Sequence, residues 1–263
     1  ALCVKDTTKA LQTVAAFWRR KFTTRVIGIT GSVGKSTTKE LTAEILSQRY
    51  RTLKNQGNFN NEVGLPLTLL RLGPGYDRVV LEMGFYEPGE IASLCEIAKP
   101  QVGILTNIGT VHASRAGSQE TIAHGKSELV RALPPAPTGS AILNIDDPFI
   151  REMANLTQAK VIYYGLDSKA DLWADEIESR GLDGIHFKIH HGADAFNLQA
   201  PLIGRHSIHT ILAAAAAALN EGLTWQEIIL GLQHATSQLR LVAVKTRQGA
   251  LILDDTYNAS PES

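Results

Sequence analysis

Hydrophobic positions fall along this chain in two alternating rhythms. Residues 25–30, Arg-Val-Ile-Gly-Ile-Thr, form a short unbroken apolar run, the mark of a strand covered on both faces. Residues 35–49 then place Leu41 and Ile45 one helical turn apart, as an amphipathic helix does. The alternation continues with a strand at residues 78–83 and a helix from Gly89 with Ile91, Leu94, Cys95 and Ala98 on one side. A strand at residues 101–106 follows, then a helix capped by Ser118 that carries Ile122, Leu129, Val130 and Leu133. A proline-rich break at residues 134–139 precedes a strand at 141–145, a helix start at Asp147-Pro148 and a strand at 160–164. Repeated strand–helix units predict an α/β fold: a mainly parallel sheet flanked by helices.

After Gly165 the rhythm changes. Residues 171–176, 185–190 and 195–200 alternate and are joined by Gly/Asp turns, which predicts a small antiparallel sheet in the second half. Helices are expected over about 208–220 and 224–235, and a closing hairpin over 241–246 and 250–254. Ahead of the first strand, Thr7 or Thr8 caps a helix with Leu11, Val14, Ala15 and Trp18 facing inward and Arg19, Arg20 and Lys21 at its end.

Composition narrows the picture. The 263 residues carry 26 acidic and 26 basic side chains, a balance that favours neither nucleic acid nor an anionic membrane as partner. Two cysteines, Cys3 and Cys95, leave no disulfide framework or cysteine metal cluster, and suit a reducing cytoplasm. The alanine-rich run at residues 211–219 is too short to span a bilayer, and no signal peptide is visible. The chain starts without methionine and stops soon after a strand, so it reads as a piece of something longer.

The chemistry begins where the first strand ends. Gly28-Ile29-Thr30-Gly31-Ser32-Val33-Gly34-Lys35-Ser36-Thr37 is a small-residue turn that opens a helix. Glycines let backbone N–H groups turn inward, and the helix N-terminus aims its unsatisfied donors at the same spot. Lys35 adds a positive charge and Ser36 a hydroxyl able to ligate magnesium, so a nucleoside triphosphate is the expected ligand. The strict phosphate-loop pattern has glycine where this chain has Ile29. Glu82 ends the next strand, at the sheet edge where ligands bind in parallel sheets, and is a candidate magnesium ligand beside Ser36. Its bland alternative is a strand-end carboxylate facing water. His112 follows the strand at 101–106 and is a candidate for a second metal, against the commoner solvated loop histidine. Residues 57–64, Gly-Asn-Phe-Asn-Asn-Glu-Val-Gly, read either as a turn-rich loop or as a substrate loop. Spacing alone marks Lys126 as a surface lysine.

The phosphate loop continued to Glu40, residues 57–70, Leu81-Glu82-Met83-Gly84 with Pro88-Gly89-Glu90-Ile91, and residues 254–261 together resemble the Mur ligase family of ATP-dependent peptidoglycan-precursor ligases. The resemblance implies a phosphate-loop sheet and three domains, of which residues 25–254 are the central ATP-binding one. Residues 1–24 would be a remnant of the domain that binds the UDP-sugar, and 255–263 the hinge to a C-terminal domain. The last stretch points, within the family, to addition of D-alanyl-D-alanine to UDP-N-acetylmuramoyl-tripeptide through an acyl phosphate, by a cytoplasmic monomer. By the same resemblance Gly31, Ser32, Val33, Gly34, Lys35, Ser36 and Thr37 hold the ATP phosphates, and His206, Arg240 and Asp255 contact the nucleotide. Ser36 and Glu82 take one magnesium ion, His112 takes a second, and Lys126 matches the family's carbamylated lysine. Asn58, Asn60 and Asn61 lie near substrate and phosphate. Val33, Ser207, Thr210 and Ser260 depart from the asparagines usual at their positions. The alternatives are another ligase of the superfamily, of folylpolyglutamate or cyanophycin synthetase type, or an ATP-binding module without ligase activity in isolation.

Overall fold

A computed structural model describes residues 3–109, 118–234, 242–245 and 248–254. Its centre is a nine-stranded sheet built from β1 (Arg25–Thr30), β2 (Thr52–Lys54), β3 (Arg78–Glu82), β4 (Val102–Leu105), β5 (Ser140–Asn144), β6 (Lys160–Gly165), β7 (Leu172–Ser179), β8 (Ile185–His191) and β9 (Asp194–Ala200). The strands lie in the order β2-β3-β1-β4-β5-β6-β7-β8-β9. Pairing is parallel from β2 to β7 and antiparallel from β7 to β9. The expected parallel sheet and antiparallel strands are both present, and they share one sheet because β7 pairs with β6 through Tyr164↔Leu172 and Gly165↔Trp173. A separate two-stranded sheet pairs β10 (Val242–Lys245) with β11 (Leu251–Asp254), the expected hairpin.

The helices divide between the two faces. On one side α2 (Lys35–Leu46), α7 (Ser207–Asn220) and α8 (Trp225–His234) cover Ile27, Ile29, Ile104, Ile142 and the inward residues of β7–β9. On the other side α1 (Thr7–Arg19), α3 (Gly64–Leu69), α4 (Glu90–Ala98), α5 (Gln119–Arg131) and α6 (Pro148–Glu152) cover Val26, Val79, Leu81, Leu105 and Leu143. Central strands are therefore apolar on both faces, which is why they read as unbroken runs and not as alternation.

Two local expectations change, and two elements are new. Helix α1 is capped by Asp6, whose carboxylate accepts from the Lys9 N–H, and not by a threonine. Its inward stripe is turned toward Ala15 and Arg19, while Val14 is 55% and Trp18 38% exposed. The cause is Arg19: its buried guanidinium donates to the carbonyls of Ala98, Phe22 and Thr24, fixing that edge of the helix against the end of α4 and the link into β1. Strand β2 and helix α3, on either side of the loop at residues 57–64, are elements that the pattern does not predict, each too short to show a period.

Candidate functional site

The parallel strands end along one edge, and the chain's order changes sides there: β1 is flanked by β3 on one side and β4 on the other. A crevice opens at such a point in α/β sheets. The turn from β1 to α2 lies in it. Gly34, with φ 83°, sits in the left-handed region as the N-cap of α2. Gly31 must be glycine because a Cβ there would stand 1.9 Å from the Thr106 hydroxyl. Helix α2 begins at Lys35, so Ser36 and Thr37 occupy its first turn, where N–H groups have no intrahelical acceptor.

The end of β4 holds this loop in shape. Ser32 N–H donates to the Asn107 carbonyl (2.9 Å), and Asn107 grips Val33 at both ends, accepting from its N–H (2.9 Å) and donating to its carbonyl (3.0 Å). Thr106 donates to that carbonyl as well (2.7 Å). Asn144 and Tyr164 in turn donate to the carbonyls of Thr106 and Leu105. None of Thr106, Asn107, Asn144 or Tyr164 was marked by the sequence, because each bonds to residues remote along the chain.

Lys35 Nζ donates to the carbonyls of Gly31 (2.8 Å) and Ser32 (3.0 Å). Lys126 reaches the same Gly31 carbonyl from α5 (2.9 Å) and lies over the Phe85 ring, 4.8 Å from its centroid. Far from being a surface lysine, it is 1% exposed. Burial, then the charge of Lys35, hold its ammonium well below the ordinary lysine range. The α5 backbone approaches Phe85 so closely that a Cβ at Gly125 would fall 2.0 Å from the ring.

Glu82 is buried, 3% exposed, at the end of β3, which sets aside the water-facing alternative. Asn60 donates to its Oε1 (2.8 Å), while Oε2 is buried with no protein partner. A carboxylate oxygen so placed fits a cation ligand, since a buried charge needs compensation. Among the described residues no three His, Cys, Asp or Glu side chains gather as a metal cluster. A carboxylate oxygen without a protein partner, and no cluster of nitrogen or sulfur ligands beside it, suits a hard ion that keeps water and phosphate oxygens.

Of the remaining candidates, Asn61 accepts from the Gly64 N–H (2.9 Å) at the start of α3, Asn58 is exposed, and Asn60 bonds Glu82. His206 is exposed at the N-terminus of α7, with its ring against Gly204. That helix end faces the loop: a Cβ at Gly34 would lie 3.8 Å from the Thr210 hydroxyl. Next to it Asp146, just after β5, accepts from His209 (2.8 Å) and from the N–H groups of Leu166 and Asp167. Burial opposes the Asp146 charge, but these donors outweigh it and hold the carboxyl below its usual value. His112, Arg240 and Asp255 lie outside the described residues.

A glycine-bearing loop between strand and helix, a lysine at the helix start and a buried carboxylate across the switch point define a phosphate-binding α/β domain of P-loop type. Residues 29–218 match the family described as Mur ligase middle domain, and the chain belongs to that family. It is 42% identical over 99% of its length to UDP-N-acetylmuramoyl-tripeptide–D-alanyl-D-alanine ligase of Synechocystis, covering 55% of that protein. Two solved structures superpose closely. MurF from Acinetobacter baumannii gives a TM-score of 0.92 at 34% identity, over 99% of this chain and 57% of that one. MurF ligase from Thermotoga maritima in complex with ADP gives 0.88 at 30%, over 99% and 60%. The chain spans about half the length of the curated relatives it matches. No described helix is long and apolar enough to cross a membrane.

Proposed function

We propose that this chain is the central domain of an ATP-dependent ligase that joins D-alanyl-D-alanine to UDP-N-acetylmuramoyl-tripeptide in the cytoplasm, acting as a monomer. The observation that carries the reading is the convergence of Lys35, Lys126 and Glu82 on one rim of the sheet, two of them through the Gly31 carbonyl. The names of its relatives supply the substrates. Residues 1–24 and 255–263 then connect to a UDP-sugar domain and a C-terminal domain.

In this reading the loop from Gly31 to Thr37 holds the β- and γ-phosphates, with Lys35 leaving its carbonyl partners for the transferring group. Asn58, Asn60 and Asn61 stand beside the substrate, Asn61 also accepting from the Gly64 N–H. His206, Arg240 and Asp255 take the nucleoside. Ser36 and Glu82 hold one magnesium ion and His112 a second, and bound magnesium neutralises charge on the phosphoryl oxygens. An oxygen of the peptide carboxylate bonds to the γ-phosphorus as ADP departs; the D-alanyl-D-alanine amine then bonds to the acyl carbon and inorganic phosphate leaves. Lys126, dry and poor at holding its proton, suits reaction of the free amine with carbon dioxide. A C–N bond forms, one proton is released, and the lysine ends as a carbamate anion able to meet a cation.

Release of ADP tests the proposal. The full-length protein should release it only when both the UDP-sugar tripeptide and D-alanyl-D-alanine are supplied, and Lys35→Ala should lower that rate at least a hundredfold. ADP release by the parent that ignores both substrates would instead support a nucleotide-binding module.

A further inference from the structure

Strand β2 pairs with β3 as far as Lys54↔Val80 and stops before Glu82 is reached. From there the neighbour of β3 is a side chain. Asn55, fully buried, accepts from the Glu82 N–H through Oδ1 (2.9 Å) and donates through Nδ2 to the Glu82 carbonyl (3.2 Å). An adjoining strand would offer the same donor and acceptor, so the amide continues the sheet where the strand has ended. The Asn55 amide also donates to the Phe59 carbonyl (2.9 Å), folding the loop back so that Asn60 meets Glu82 Oε1 (2.8 Å).

Lys39 secures this turn from α2. It is 1% exposed, and its Nζ donates to the carbonyls of Asn55 (2.9 Å) and Gly57 (3.4 Å) and pairs with Glu40 (2.9 Å). A buried ammonium with these partners is expensive to place unless every contact is met. The phosphate-loop helix, the asparagine loop and the end of β3 are thereby joined through two side chains.

We infer that Asn55, seated by Lys39, is a positioning residue that aims the Glu82 carboxylate at a divalent cation; this rests on the reading of Glu82 as a cation ligand given above. With its backbone held by Asn55 and Oε1 held by Asn60, Glu82 presents Oε2, buried and without a protein partner, in one direction. Magnesium-sized ions demand near-ideal octahedral geometry, so a ligand free to tilt binds them less well. Loss of an outer partner of a metal ligand typically costs about 10- to 100-fold in metal affinity.

Manganese, followed by its electron paramagnetic resonance in the presence of saturating ADP, is the probe, and the full-length protein is the sample. Glu82→Gln tests the underlying reading: unchanged manganese affinity there means Glu82 is no ligand, whatever Asn55 does. With that affinity lost in Glu82→Gln, Asn55→Ala should weaken manganese about tenfold. Binding of ADP in EDTA should stay at the parental level, and Asn55→Thr, which retains an acceptor, should fall between. Lys39→Met should weaken manganese in the same way and stands in if Asn55→Ala does not fold. Manganese affinity within about twofold of the parent in the folded Asn55 and Lys39 variants, with only the melting temperature lowered, overturns the inference.

Discussion

Lys126 shows how far one side chain's chemistry departs from its composition. Its folded pKa lies below the ordinary value, because burial and then Lys35 oppose the charge. Between the folded and unfolded values the unfolded chain binds the extra proton, so the site's contribution to stability rises with pH and is fully present above the unfolded pKa. Lys126→Met removes that titration. In denaturant unfolding under carbon dioxide-free buffer, the parent should gain stability over the variant from pH 7 to pH 10; a flat difference would mean the amine is hydrated. Cys95 gives a simpler check. Burial pushes its thiol up to about 12, whereas Cys3 is exposed, so a thiol reagent should modify one cysteine rapidly and the other only on unfolding. At this scale the sequence was informative where chemistry is local. Gly31, Lys35 and Ser36 follow one another, and their role is written in their order. Lys126, Asn55 and Asn107 were opaque, since what each one bonds or stacks upon, Gly31, Phe85, Glu82 or Val33, is distant along the chain.

Elements repeat the lesson on a larger scale. The long helices are legible because burial imposes a period on them and the central strands because burial on both faces makes them apolar runs, whereas β2 and α3 span fewer than two periods each. The inward stripe of α1 was misjudged by the hydrophobic pattern, because a guanidinium with three carbonyl acceptors outweighs the burial of Val14. Two contacts between elements are open to measurement. Helix α8 crosses α2 so closely that a Cβ at Gly231 would lie 2.6 Å from Ile45 Cα, so Gly231→Ala should cost about 1–3 kcal/mol in denaturant unfolding. At the opposite end of the sheet from the loop, Glu221 closes α7 and pairs with Arg25 of β1 (3.0 Å) and Arg78 of β3 (2.5 Å). Its carboxylate is 1% exposed, and Tyr50 donates to its carbonyl. Glu221→Ala leaves two arginines beside an empty site and should cost about 3 kcal/mol, the lower end for a broken buried pair because Arg25 is partly hydrated.

For the molecule as a whole, the strand order is what periodicity could not supply. Local patterns predicted parallel strands, but placing β1 between β3 and β4 is a matter of crossover, and that placement brings Glu82, Thr106 and Gly31 to one crevice. The strand-end position of Glu82 marks it in the sequence and the family resemblance reaches it too, whereas the clamp of Asn55, Asn60 and Lys39 around it depends on contacts between distant residues. A ligand bound across this crevice bridges elements from both halves of the chain, so it should stabilise the entire sheet. Magnesium–ADP at about a hundred times its dissociation constant should add about 2.7 kcal/mol to unfolding, read as a higher denaturant midpoint. No shift with magnesium–ADP would mean that the native chain does not hold the nucleotide.

The Gly31 carbonyl accepts from both Lys35 and Lys126, and this shared acceptor couples two functions that would otherwise be separate. In carbon dioxide-free buffer, where Lys126 stays an amine, a polyanion that draws Lys35 away removes a competing cation and lets Lys126 hold its proton more firmly. By thermodynamic reciprocity, protonated Lys126 strengthens the hold on the anion by the same factor. Phosphate arriving on one side of a single peptide oxygen is therefore registered as a change in basicity on the other, and calorimetry in buffers of different ionisation heat would record it as proton uptake.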